Sequence, residues 1–425
     1  MIQFTKNLLF FSLSCIVLLS CVQSNPIASP ESVGMSSARL ALIDSMCNTA
    51  VQNGDIPGAV VLVARKGKIV YEKAFGYADN KIGRKMKTDD IFRIASQTKA
   101  ITSTAVMMLW EEGKFRLDDP ISKFIPEFKD PQLIKNFNLI DTTYTTITAN
   151  REITIRDLLT HTSGIGYGEG DRDNRINKIY PKAGVIDLFT TKDITIGESV
   201  RRLGKLPLLN NPGDAYVYGE GLDVLGYFIE VISGMPFDQF LRERLLNPLG
   251  MDDTWFYLPE EKASRLVAVQ HLVDGKWEHY PVTFYDPDFP IKGAKRFFSG
   301  GAGLSSTARD YATFLQMYLN GGELNGVRIL SRTTVNLIMT NQHSFLWENG
   351  KRHYGLAFGV LTEKGMSDGG RGSAGTFDWG GYFNTQYFAD PKEQIVGVIM
   401  KQTLGVNNDN TQWKFRMLVE QAVND

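Results

Sequence analysis

A serine and a lysine stand three positions apart at the head of an uncharged run. The segment FRIASQTKAITSTAVMMLW, residues 92–110, contains Ser96 and Lys99, and no charge follows as far as its end. On a helix, positions i and i+3 share a face, so the two side chains touch if the helix starts at Ser96. Burial favours a neutral amine, which can accept the proton of a hydroxyl or orient another base. The pair predicts nucleophilic catalysis, although a capping serine and a lysine that reaches water would explain the same residues.

Two other stretches carry groups that could complete such a site. PGDAYVYGEGLDVLG, residues 212–226, places Tyr218 before a helical pattern, where a tyrosine close to a lysine is a candidate proton acceptor. GTFDWGGYFN, residues 375–384, puts two glycines at the start of a predicted hairpin. Glycine lets a strand approach a ligand closely and leaves a backbone N–H free to donate. A packed tyrosine and a strand bulge are the alternatives.

The elements that must position these groups come from both chain ends. Residues 36–53 read as an amphipathic helix, and AVVLVAR and IVYEKAFGYAD follow as a hairpin. A second strand pair lies in 382–402 and a helix in 413–423. Because two strands alone are unstable, we predict an α+β fold with one antiparallel sheet flanked by helices. The sheet domain spans 35–95 and 296–425, and an inserted, mainly helical domain spans 96–295, with the site at their junction.

Composition and spacing exclude several classes of function. The chain has 425 residues with 46 basic and 47 acidic side chains, so it has no field to attract nucleic acid. The five histidines lack metal-ligand spacing, and we expect neither a metal nor another cofactor. His161 is expected to be a hydrogen-bonded structural residue.

The N-terminus reads as a targeting segment. Lys6 precedes an uncharged, mostly apolar run at 8–20, too short to span a bilayer and of the length typical of a signal peptide. The run ends in VLLSC, which resembles a bacterial lipobox with Cys21 as the acylated residue. We predict a signal peptide over 1–20, a tether over 21–34 and an envelope lipoprotein, periplasmic or in the outer membrane. A plain cleaved signal peptide is the alternative.

Beyond these motifs, residues 30–405 resemble the serine β-lactamase and penicillin-binding-protein superfamily. The likeness is to its class C-like branch, which includes D-Ala-D-Ala carboxypeptidases and family VIII carboxylesterases. IFRIASQTKAIT resembles the first family motif, and three stretches resemble scaffold signatures: ITIRDLLTHTSGI, NPLGMDDTWF and SGGAGLSSTARDYATFLQMYLNGGE. The resemblance implies a covalent acyl-enzyme on Ser96, a proton shuttle through Lys99 and Tyr218, and an oxyanion held by the N–H groups of Ser96 and Tyr382. Which residue deprotonates the serine is disputed in this superfamily.

The chain departs from the family pattern at two motifs. Tyr-Gly-Glu at 218–220 replaces Tyr-Ser-Asn or Tyr-x-Asn, so an amide donor becomes Glu220, an acceptor if ionised. Trp379, Gly380 and Gly381 stand where Lys-Thr-Gly is usual, so a basic side chain becomes an indole. Both changes disfavour substrates with an amide and a carboxylate. We expect Trp379, Gly380 and Gly381 to contact substrate, and Glu220 to shape the alcohol side or assist the hydrolytic water.

These features favour a serine hydrolase of small carboxylic esters. A D-Ala-D-Ala carboxypeptidase, a D-aminopeptidase or a weak class C-type β-lactamase is the first alternative, because an envelope location gives access to peptidoglycan. A non-catalytic scaffold or binding lipoprotein is the second, although it would not need Ser96, Lys99 and Tyr218 together. The expected partners are a small ester or peptide-like substrate and, through the lipid anchor, a membrane. The sequence is silent on oligomeric state.

Overall fold

The computed structural model describes residues 27–169, 173–343, 347–367, 369, 371–406 and 408–425. The predicted signal peptide, Cys21 and residues 22–26 of the predicted tether lie outside these residues and stay predictions. Within the described ranges, no helix combines the length and the apolar character needed to cross a bilayer.

Strands and helices are interspersed along the described chain. In chain order the strands are β1 (Gly58–Arg65), β2 (Lys68–Asp79), β3 (Arg84–Lys85), β4 (Phe92–Arg93), β5 (Gln132–Phe137), β6 (Tyr144–Thr148), β7 (Gln270–Val273), β8 (Lys276–His279), β9 (Ser305–Ser306), β10 (Glu323–Leu324), β11 (Val327–Arg328), β12 (Arg352–Tyr354), β13 (Gly359–Leu361), β14 (Phe377–Gly381), β15 (Thr385–Asp390), β16 (Ile395–Met400) and β17 (Thr403–Leu404). The helices are α1 (Ser37–Leu40), α2 (Leu42–Gln52), α3 (Thr98–Glu111), α4 (Ile155–Leu159), α5 (Ile176–Ala183), α6 (Ile196–Leu203), α7 (Gly221–Ser233), α8 (Phe237–Leu241), α9 (Asn247–Leu249), α10 (Glu260–Ala263), α11 (Phe289–Lys292), α12 (Ala308–Leu319), α13 (Arg332–Met339), α14 (Glu363–Met366) and α15 (Thr411–Glu420).

One eight-stranded antiparallel sheet joins the two chain ends, as the two hairpins predict. Its strand order is β12-β13-β14-β15-β16-β1-β2-β3, with β1 paired to β16. All of β1 is buried, because helices cover both faces of the sheet. Val61 and Val63 pack with α2 and α15 on one face, whereas Val60 and Leu62 pack with α3 and α12 on the other. The second face carries the helical region, so the sheet positions α3.

The middle of the chain, predicted to be mainly helical, also contains strands. Helices α3 to α11 are present there, but so are the hairpins β5–β6 and β7–β8, and β17 pairs with β7. Strand β6, with the sequence YTTIT, is exposed along its length and so lacks the apolar alternation that marks a half-buried strand. That missing alternation is why the sequence did not predict the hairpin.

Three predicted elements have different boundaries. The first helix is divided into α1 and α2 at Ala41. Helix α3 begins at Thr98 rather than at Ser96, and a 3-10 turn over Ala95–Gln97 precedes it. The two glycines end β14 instead of opening the hairpin β15–β16. Because of the last difference, the Trp-Gly-Gly triplet lies on β14 and not in the hairpin β15–β16. Strand β14 is next to the turn that carries Ser96.

Candidate active site

Ser96 and Lys99 touch, as their spacing predicts. The Lys99 Nζ lies 3.3 Å from the Ser96 Oγ and donates to the Gly301 carbonyl at 2.7 Å. Lys99 is 1% exposed, whereas Ser96 is only half-buried. A short 3-10 turn leading into a helix serves the spacing as well as a continuous helix, because positions i and i+3 coincide there too. The hydroxyl therefore faces solvent with an amine beneath it.

Hydroxyls on α3 fix the loop that bonds to Lys99. The Thr102 hydroxyl donates to the Gly300 carbonyl at 2.7 Å, and the Thr98 hydroxyl accepts from the Leu304 N–H at 3.1 Å. A Cβ on Gly301 would lie 2.3 Å from a carboxylate oxygen of Asp223, so a larger residue would have to displace that carboxylate. The close approach holds the Gly301 carbonyl against the Lys99 amine.

Tyr218 meets Lys99 through its ring. The amine lies 4.6 Å from the ring centroid, and the Tyr218 phenol oxygen accepts a hydrogen bond from the Trp379 indole at 3.3 Å. Tyr218, like Ser96, is half-buried. The structure thus brings the three predicted residues together. Catalytic hydrogen bonds are often long or misaligned before substrate binds, so this arrangement is compatible with proton transfer.

The predicted oxyanion donors lie on neighbouring elements. A Cβ on Gly381 would stand 2.5 Å from the Ile94 carbonyl oxygen, so the end of β14 lies directly against the turn that carries Ser96. In the described part of the chain, no group accepts a hydrogen bond from the next N–H, that of Tyr382. The Ser96 N–H lies in the first turn, where amides have no intrahelical partner. Their role as oxyanion donors stays a prediction.

Trp379 belongs to an aromatic wall. Its ring centroid lies 5.8 Å from those of Tyr218 and Trp347 and 5.3 Å from that of Tyr354. The indole therefore supplies a hydrogen-bond donor on one side and apolar surface on the others. Its contact with substrate, and that of Gly380 and Gly381, stay predictions.

His161 differs from the expectation of a hydrogen-bonded residue. Neither ring nitrogen has a hydrogen-bond partner among the described residues, and the ring packs between Tyr216, Tyr218 and Tyr354. Burial, together with the charge of Lys99, lowers the pKa of His161 well below its usual value. The imidazole is consequently neutral and acts as packing beneath Tyr218.

Buried carboxyl groups stand behind the amine. Glu220 is 2% exposed at the start of α7 and shares a hydrogen bond with Asp187; burial, and then Asp187, raise the pKa of Glu220 well above its usual value. The Asp223 carboxylate accepts from the Ser299 hydroxyl at 2.5 Å and from the Gly301 N–H at 3.3 Å. This shift favours the protonated form of Glu220, which can donate a hydrogen bond, whereas an ionised carboxylate could only accept. Among the described side chains, no group of three is arranged to hold a metal ion.

Sequence analysis missed several residues of this site. The Tyr167 ring lies 5.5 Å from the Lys99 amine and 5.8 Å from the Tyr218 ring, but it stands in a glycine-rich loop with no recognisable motif. No pattern in the sequence marked Asp187 as a site residue either. A pattern did mark Asp223, because it is a lone charge in the apolar stretch 221–229, which is the feature that marked Lys99.

We expect Glu220→Gln to remove a pH dependence of stability. Above about pH 4.5 an unfolded glutamate loses its proton while buried Glu220 keeps it, so this group makes the folded protein less stable as pH rises. Glutamine mimics the protonated acid at every pH. Relative to that of wild type, the free energy of unfolding of the variant should rise between about pH 5 and pH 8, by at most ~1.4 kcal/mol per pH unit.

Urea unfolding across that range measures the gain. The matched control is Glu261→Gln, since Glu261 is exposed on α10. If the free energies of unfolding of wild type and Glu220→Gln changed in parallel with pH, the assignment of a buried, protonated Glu220 would be contradicted.

Comparison with known proteins decides the family. The family model described as Beta-lactamase matches residues 43–421. The chain belongs to the beta-lactamase family. The match includes Ser96, Lys99, Tyr218 and Trp379, so the site lies within the family's own fold.

Relatives of this beta-lactamase-family chain include hydrolases. Protein Rv1367c of Mycobacterium tuberculosis is 35% identical over 81% of this chain and 85% of its own length. Esterase EstB of Burkholderia gladioli is 32% identical over 85% of this chain and 90% of its own. The solved structure of EstCE1, described as a hydrolase with promiscuous acyltransferase activity, has a TM-score of 0.75 and 26% identity, covering 91% and 99% of the two chains. The chain is accordingly a serine hydrolase of the beta-lactamase fold.

Proposed function

We propose that this protein hydrolyses neutral carboxylic esters through an acyl-enzyme on Ser96. The observation that carries the proposal is Trp379, whose indole bonds to the Tyr218 phenol at the position where the superfamily usually has a cation. An indole supplies no charge for a substrate carboxylate. The Esterase EstB name of a relative agrees with this choice.

The charges beside Trp379 support a neutral substrate. Arg352 and Arg416 both pair with Asp378, the residue before Trp379, and Arg416 also pairs with Glu420. Two guanidinium groups thus face two carboxylates. Lys99 is buried against Gly301 and Ser96, so its amine is engaged inside the site rather than offered to a distant anionic group.

The proposed reaction has two halves. The Ser96 oxygen attacks the ester carbonyl, and its proton passes to Lys99 or onward to Tyr218, while the N–H groups of Ser96 and Tyr382 hold the oxyanion. The carbon–oxygen bond to the alcohol then breaks, and the alcohol leaves with that proton. Water attacks the acyl group next, gives its proton to the same groups, and the acid departs as Ser96 regains its hydrogen.

Active-site labelling followed by a substrate panel tests the proposal. A fluorophosphonate should label Ser96, as located by mass spectrometry, and should not label Ser96→Ala. Wild type should then hydrolyse p-nitrophenyl acetate and butyrate faster than nitrocefin or a D-Ala-D-Ala peptide. Faster turnover of either of the latter would replace the esterase by the lactamase or peptidase alternative. No label at Ser96 would instead favour a non-catalytic protein.

A further inference from the structure

An uncharged, exposed surface adjoins the candidate site. The stretch YPVTFY, residues 280–285, contains no charge, and its four central residues are all exposed. Val282 is 66% exposed, Phe284 38% and the nearby Tyr382 44%. We call Val282, Phe284 and Tyr382 the apolar lip. Single exposed apolar residues are ordinary, but a cluster beside a site marks a binding surface.

The buried ring of Tyr285 connects the apolar lip to the nucleophile. Its centroid lies 4.9 Å from that of Phe284 and 6.3 Å from that of Tyr382. Tyr285 belongs to the same packed cluster as Ala95, the residue before Ser96. The lip also includes the side chain of the residue whose N–H is the predicted oxyanion donor. A chain attached to the reacting carbonyl would therefore pass over the lip as it leaves the site.

Arg93 anchors the chain just beyond residues 280–285. This residue of β4 is 1% exposed, and its guanidinium donates to the Pro287 carbonyl at 2.5 Å and to the Val267 carbonyl at 2.7 Å. Phe289 stacks on Phe189 at 4.5 Å just beyond. The segment is thus anchored to the strand that leads to Ser96, and a pre-ordered surface loses less entropy when a ligand binds.

We propose that the apolar lip binds an extended apolar chain of the ester substrate, on either its acyl or its alcohol side. This inference rests on the proposed esterase function. The flanking charges favour a small neutral ligand over a lipid surface, because Glu278, Asp286 and Asp288 border the segment and Lys292 pairs with the latter two. An anionic bilayer attracts basic segments instead.

Fluorophosphonates with ethyl, butyl and octyl chains test the lip independently of natural turnover. For wild type, the rate of Ser96 labelling should rise with chain length. In Phe284→Ser the ratio of octyl to ethyl rates should fall roughly five- to tenfold, which corresponds to about 1 to 1.4 kcal/mol. The control is Ile140→Ser, which removes a 95% exposed side chain from the turn between β5 and β6 and should preserve the ratio.

Two ester series identify the side of the substrate. In one series p-nitrophenol is fixed and the acyl chain grows; in the other an acetyl group is fixed and the alcohol chain grows. If Phe284→Ser selectively lowers the rate of hydrolysis of the longer esters in either series, the result supports binding of the chain at the apolar lip. Equal labelling rates for all chain lengths in wild type would overturn the lip and leave the esterase proposal standing.

Two further outcomes would also overturn it. The first is no labelling by any probe, which would remove the esterase proposal as well. The second is sedimentation of wild type with phosphatidylglycerol vesicles that Phe284→Ser abolishes, without any dependence of labelling on chain length. That result would assign the surface to a membrane.

Discussion

Ser96→Ala, Lys99→Met and the double variant are expected to share one residual rate. Each should lower kcat/KM for p-nitrophenyl acetate by ~10⁴- to 10⁶-fold, with no further loss in the double variant. The reason is that the Ser96 hydroxyl and the Lys99 amine, 3.3 Å apart, act as one unit. Without the amine the hydroxyl stays a weak nucleophile, and without the hydroxyl the amine has nothing to activate.

Steady-state kinetics of the four proteins, with melting temperatures, measure this effect. Methionine can fill the space of the lysine stem, so the fold should survive the loss of the buried amine. Lys123→Met is the matched control, because that lysine is exposed and pairs with Asp119 at the surface, and its activity should equal that of wild type. A double variant much slower than either single variant would show that the two residues act separately.

Tyr218→Phe is expected to lower kcat/KM by about 10²- to 10³-fold, the range of a lost general acid–base group. Phenylalanine keeps the ring that packs on Lys99 and His161, so the loss isolates the phenol that accepts from Trp379. Because the ring packing is retained, the melting temperature should change little.

Tyr216→Phe is the matched control for that measurement. Tyr216 stacks in the same aromatic cluster, and its phenol has no hydrogen-bond partner among the described residues. Its removal should leave kcat/KM unchanged. Equal losses in the two variants, or no loss in Tyr218→Phe, would remove Tyr218 from the proton path.

Local patterns decided the parts of this protein that the sequence predicts well. The contact of Ser96 with Lys99 follows from helical spacing, which needs no distant residue. The apolar hairpins at both chain ends required a shared sheet, and β1 indeed pairs with β16. Hairpin β5–β6 escaped prediction because an exposed, threonine-rich strand has no alternation to read.

The surroundings of the reactive pair depended on the tertiary structure. Tyr167 and Asp187 come to the site from loops, and no spacing along the chain relates them to Lys99. The same is true of the apolar lip, which joins Phe284 to Tyr382 through the ring of Tyr285.

The sequence by itself determined which groups can react, since residue type and helical spacing are local properties. Only the tertiary structure decided their charge states and neighbours. Folding favours the protonated form of Glu220 because it buries this residue beside Asp187, and it favours neutral His161 because it surrounds the imidazole with rings near Lys99. The physical reason is that desolvation and electrostatic interactions depend on distances in space, which the order of residues does not specify.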